Sequence, residues 1–105
     1  MSARIVVATF VAKPDRIDEI EKFAREVIVP SHSDAGCEKY ALHRSVADPN
    51  TFVLVEKWAS QEDLDAHFVQ PHMANLGSLM EALAEPASIQ FLEPFEAGDP
   101  AKGLL

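Results

Sequence analysis

Cysteine, glycine and positive charge are all scarce in this sequence, and each shortage removes a class of function. A single cysteine, Cys37, cannot close an internal disulfide, which fits a reducing compartment such as the cytoplasm. One thiol with four scattered histidines does not make the spacing of a structural zinc site. The four glycines, at positions 36, 77, 98 and 103, never cluster into a phosphate-cradling loop. No metal, flavin, haem or other cofactor is therefore expected. Nine Lys and Arg stand against 17 Asp and Glu, a net charge of −8, which repels phosphate backbones and speaks against nucleic-acid binding. The longest apolar runs, such as residues 5–8, fall far short of the roughly 20 residues that cross a bilayer, so no membrane partner is expected. Residues 1–4 lead straight into strand-like sequence with no cleavage-type leader pattern.

What remains is an ordinary globular composition, 48% hydrophobic and 25% charged, over 105 residues. That length suits one domain, residues 1–97, with a tail at 98–105. Residues 4–12 are rich in β-branched and aromatic side chains and read as a buried strand. Pro14, with Asp15, Asp18 and Glu19 behind it, reads as the start of a helix over 14–30. Ile17, Ile20, Ala24, Val27 and Ile28 form its apolar face, with Phe23 beside them. After the turn at Ser33–Gly36, residues 37–46 read as a strand with Tyr40, Leu42 and Val46 on one side and Cys37, Ala41 and His43 on the other. Asp48-Pro49-Asn50 turns the chain into a hairpin with the strand at 51–58. Ser60 caps the next helix, with Asp63 three residues on. Pro71 interrupts that helix, and a second piece carries Met73, Leu76, Leu79, Met80 and Leu83. Residues 88–95 form a last strand, with Pro94 marking an edge or an end.

The order β-α-β-β-α-β predicts an α+β, ferredoxin-like fold: a four-stranded antiparallel sheet with helices on one face. Both faces of the first strand are apolar, Ile5, Val7 and Val11 against Val6, Ala8 and Phe10. The helices cover one face. The simplest cover for the other is a second copy of the sheet, so a homodimer through the sheet faces is expected.

The chemistry-bearing residues concentrate between Gly36 and Met73. Gly36-Cys37 is followed by Tyr40, then Glu56-Lys57-Trp58, then His67 and Pro71-His72-Met73. This run, over about residues 3–95, resembles the antibiotic biosynthesis monooxygenase family. The resemblance implies dimers whose sheets pack into an α+β barrel, with an active cavity between sheet and helices. It also implies oxidation of phenolic, quinol or polyketide-like aromatic substrates by molecular oxygen without any cofactor. Other branches degrade haem or isomerise a phosphorylated signalling sugar. Haem-degrading relatives carry an Asn in the first strand, a Trp in the helix after E-x-W and a later axial His. Here those places hold Val6-Val7-Ala8, His67 and Leu76-Gly77-Ser78, which argues against haem. The remaining alternatives are an isomerase or lyase of a small carbonyl compound and a non-catalytic ligand-binding dimer.

Each candidate residue has a functional and a structural reading. His67 is the expected base for a phenol or quinol proton, on a partly exposed helix position; its structural reading is a hydrogen bond that fixes helix to sheet. Glu56 shares parity with Phe52, Leu54 and Trp58, and a carboxylate on that apolar face is either perturbed or paired with a lysine or arginine at the dimer contact. It is the second catalytic candidate. Trp58, Tyr40, Phe23 and Phe52 are candidate walls for a flat aromatic substrate, or plain core aromatics. His72, at a helix start, is a substrate contact or a cap for free backbone N–H groups. Cys37 and the methionines read as core fillers.

Overall fold

The computed structural model describes residues 2–105. Four antiparallel strands, β1 (Arg4–Val11), β2 (Cys37–Arg44), β3 (Thr51–Trp58) and β4 (Ser88–Leu92), lie in the order β2-β3-β1-β4. The register puts Val6 opposite Glu56, Ala8 opposite Leu54 and Phe10 opposite Phe52, while Tyr40 of β2 stands opposite Glu56. Alternation then sends these side chains to the helix-covered face. They form the core with Ile20, Phe23 and Val27 from the first helical segment and Leu64, Leu79 and Leu83 from the second. Phe10 and Phe23 meet edge to face, 5.8 Å between ring centres. The ferredoxin-like α+β arrangement is the one expected from the order of elements.

The first helical segment starts later than expected. α1 (Asp18–Phe23) has Ile17 at its N-cap, and Pro14 sits in the preceding turn. A π turn over Ala24–Ile28 leads into the short α2 (Val29–Ser31). Pro30 is tolerated in that last turn although it has no N–H to donate. Asn75 Nδ2 donates to the Glu26 carbonyl, the i−4 group that Pro30 cannot serve. α3 (Gln61–Phe68) is capped as expected, with Ser60 Oγ accepting from the Asp63 N–H at 3.1 Å. A 3₁₀ turn at Pro71–Asn75 follows, then α4 (Leu76–Glu81), tied to α1 by Ser78 Oγ donating to Glu19 Oε2 at 2.7 Å.

Two strand expectations need correction. β2 carries a bulge between Cys37 and Lys39, so Cys37 pairs with Trp58 while Lys39 pairs with Lys57. The extra residue moves Cys37 to the helix face, beside Tyr40 rather than opposite it. β2 also stops at Arg44, leaving Val46 in the exposed turn, and β4 stops at Leu92. In the tail, Asp99 caps a single helical turn, α5 (Pro100–Gly103), and Lys57 Nζ bonds the Leu105 carbonyl. On the sheet face away from the helices, Val7, Thr9 and Val11 of β1 and Val53 and Val55 of β3 stay half-exposed. Among the described residues no helix is long and apolar enough to cross a membrane.

Candidate active site

His67 lies in the last turn of α3, and its imidazole is 1% exposed, not partly exposed as the sequence suggested. The Ser60 cap sets where the helix begins. The three-residue step from Leu64 to His67 keeps both on the buried side. Three elements close around the ring. The Trp58 indole stacks on it at 4.5 Å between ring centres and 35° tilt. Tyr40 of β2 meets it edge-on at 5.4 Å. The turn after α2 supplies Asp34, whose Oδ2 lies 2.7 Å from His67 Nδ1. That turn is built by backbone bonds from Asp34 N–H to the Ser31 carbonyl and from Cys37 N–H to the Asp34 carbonyl, both 3.1 Å. Gly36 completes it with φ +77°, a conformation that favours glycine.

A carboxylate can only accept, so His67 Nδ1 carries the proton and Nε2 is left with a free lone pair. Nε2 faces the Tyr40 hydroxyl at 3.5 Å. Burial lowers the His67 pKa from its usual value, against the opposing pull of the Asp34 hydrogen bond, and keeps the ring neutral at neutral pH. His72 Nε2 donates to the same Asp34 oxygen at 3.0 Å. It makes no cap bond, and the 3₁₀ turn that holds it has no side-chain cap at all, so the capping expectation is wrong for His72. Asp34, His67 and His72 place their ligating atoms within 4.8 Å of one another. The set has the composition of a two-His, one-carboxylate cation site, yet its two short contacts are those of N–H···O hydrogen bonds.

Glu56 is buried and its Oε1 accepts from the Trp58 indole N–H at 2.9 Å. This partner lies inside the subunit. Desolvation pushes the Glu56 carboxyl up to about 7, partly offset by the Trp58 bond. Burial, and secondarily the nearby Glu56 charge, pushes the Tyr40 phenol above its ordinary range. Tyr40, Glu56 and His67 all border one cavity of about 60 Å³ between sheet and helices. Phe23, Phe10, Leu54, Met73 and Leu76 complete its wall, and the half-exposed Phe68, Met80 and Ile89 form its mouth.

Of the residues singled out from sequence, His67, Glu56, Tyr40 and Phe23 come together at this cavity, and His72 joins them through Asp34. Trp58 and Phe52 do not line it. Trp58 is wholly buried behind His67 and Glu56, joining the two. Phe52 lies near the far end of β3, under the Arg44 guanidinium at 4.9 Å. In the sequence Asp34 shows only as part of the Ser33–Gly36 turn. Its acidic side chain two residues before Gly36 was the available signal, but nothing local tells a buried turn carboxylate from a solvated one.

A ferredoxin-like sheet with a buried histidine and a carboxyl group bordering an apolar cavity under the helices defines the class: an α+β protein with a cavity between sheet and helices. The chain belongs to the antibiotic biosynthesis monooxygenase family, whose model matches residues 3–76. It is similar to "Putative monooxygenase Rv0793" of Mycobacterium tuberculosis, 32% identical over 92 residues, 87% of this chain and 90% of that protein. The solved structure of Rv0793 superposes with a TM-score of 0.84, covering 93% of this chain and all of that one at 27% identity. "Putative monooxygenase YcnE" of Bacillus subtilis is 29% identical over 69 residues, 65% of this chain and 73% of that protein.

Proposed function

We propose that the protein is a monooxygenase that oxidises a flat phenolic or quinol-like substrate with molecular oxygen, using the substrate's own electrons. The observation that carries this reading is the set of His67 Nδ1 held by Asp34, Nε2 beside the Tyr40 hydroxyl, and both residues bordering an apolar cavity. A neutral imidazole so oriented removes a hydroxyl proton, with Asp34 stabilising the imidazolium that forms. The resulting electron-rich anion reduces oxygen. One oxygen atom enters a ring carbon and the other leaves as water, so each turnover consumes one O₂. Rv0793 and YcnE bear monooxygenase names, which accords with this. The residues lining the cavity include neither Lys nor Arg, which weighs against a phosphorylated sugar as substrate.

A volume near 60 Å³ holds about two waters at ~30 Å³ each. An aromatic substrate must therefore displace lining side chains, and Met73 in the wall and Met80 at the mouth have the flexible rotamers to yield. The site lies within one subunit. We propose that the working unit is a homodimer, its second subunit covering the exposed valine face of β1 and β3.

Oxygen uptake with 1,4-dihydroxynaphthalene tests this. His67→Gln keeps a donor for Asp34 but takes no proton at neutral pH. Turnover is expected to fall about 10²-fold, the scale of general base catalysis, with an unchanged circular dichroism spectrum. Because burial lowers the His67 pKa, wild-type activity is expected to persist as pH falls past the ordinary histidine value of about 6.5. Absence of uptake above the uncatalysed rate in the wild type overturns the reading.

A further inference from the structure

The Glu56 carboxyl group is left half used by the protein. Oε1 is held by Trp58, but Oε2 has no hydrogen-bond partner among the described residues. Nor is it sealed off, because no fully buried side-chain oxygen or nitrogen lacks a partner. Glu56 borders the cavity, which gives a ligand there a route to its carboxyl group. An accessible carboxyl oxygen with no protein partner is free to bond a ligand. The same indole that fixes Oε1 also packs on His67, so both groups are held relative to one another by one rigid ring.

We propose that Glu56 Oε2 is the second polar contact of the substrate, donating a hydrogen bond as the neutral acid to a second ligand oxygen while His67 Nε2 accepts the proton of the first. The substrate class is thereby narrowed to aromatics with two oxygen functions on one ring system, a hydroxyl at the His67 end and an oxygen that accepts at the Glu56 end. This rests on the monooxygenase reading and deepens it. Removing the hydroxyl proton sends negative charge through the ring to the conjugated oxygen, and an O–H aimed at that oxygen stabilises the charge where it develops. The surroundings favour the acid form. Tyr40 and Cys37 on β2 and His67 on α3 are the titratable groups around Glu56, the facing β1 residue is Val6, and none of these is a permanent cation. Desolvation places the carboxyl near 7. His67 moves the opposite way, and such divergence separates an acid from a base at one site.

The test is binding of 1-naphthol and 4-methoxy-1-naphthol, read by fluorescence of Trp58, the single tryptophan. The methoxy oxygen accepts but cannot donate. Ionisation of His67 and of the naphthol hydroxyl affects both ligands alike and largely cancels in the ratio of their affinities. In the wild type, preference for the methoxy compound is expected to drop about tenfold between pH 6 and pH 8, as a carboxyl titrating near 7 loses its proton. In Glu56→Gln, whose amide donates at every pH, the preference is expected to persist and stay flat. A wild-type ratio independent of pH, or the same titration in Glu56→Gln, overturns the proposal while leaving the monooxygenase reading standing. Binding of neither naphthol overturns both.

Discussion

At the scale of single residues, the proposed chemistry depends on which nitrogen of His67 carries the proton. Asp34 decides this, because it has no proton to give and lies 2.7 Å from Nδ1. Asp34→Asn offers an amide that can face the ring with either its oxygen or its NH₂, so the tautomer is no longer imposed. A fall in turnover of tenfold or more is expected, with little change in substrate affinity. The distinguishing readout is the ¹⁵N spectrum of the imidazole, which should show mixed tautomers in the variant and Nδ1–H alone in the wild type. A single unchanged tautomer would remove Asp34 from this role. His72 shares the same oxygen, a partnership that spacing does not show because the two residues lie 38 positions apart in the sequence.

Among the elements, the turn from α2 to β2 matters most, since it carries Asp34 into the core and sets up the β2 bulge. Gly36 is its critical residue. At φ +77° a side chain is strained, and a Cβ there would come 2.1 Å from the Asp63 carboxylate in the first turn of α3. Gly36→Ala is therefore expected to destabilise the protein by about 1 kcal/mol or more, by strain and by displacing Asp63 from the Ser60 cap. Denaturant unfolding checks this, and a loss of activity beyond the unfolded fraction would show that the turn also positions Asp34. The strands and helices were largely readable beforehand, because periodicity of two and of three to four follows from burial on one face. Their ends were less so. Pro14 looked like a helix start but belongs to a turn, and α1 begins at Asp18 without a side-chain cap to announce it.

For the whole molecule, the face of β1 and β3 turned from the helices carries Val7, Val11, Val53 and Val55, and the edge strand β4 exposes Phe91 at 59%. Apolar area of this kind on a sheet is a liability unless covered. Val7→Lys with Val55→Lys would bury unpaired like charges in a sheet-to-sheet contact. The double variant is expected to run as a monomer by light scattering where the wild type runs as a dimer, and a monomeric wild type at micromolar concentration would rule out the dimer.

The sequence by itself determined the order of elements, the parity of the central strands and the capped helix at Ser60, because each follows from local propensity and alternation. Tertiary structure alone decided that His67 is buried, that Trp58 supports the site from behind instead of lining it, that a bulge turns Cys37 inward and that Asp34 meets two histidines. The last of these depends on contacts 33 and 38 positions apart in the chain, and in all of them packing and hydrogen-bond satisfaction choose the partner while no local pattern encodes the choice.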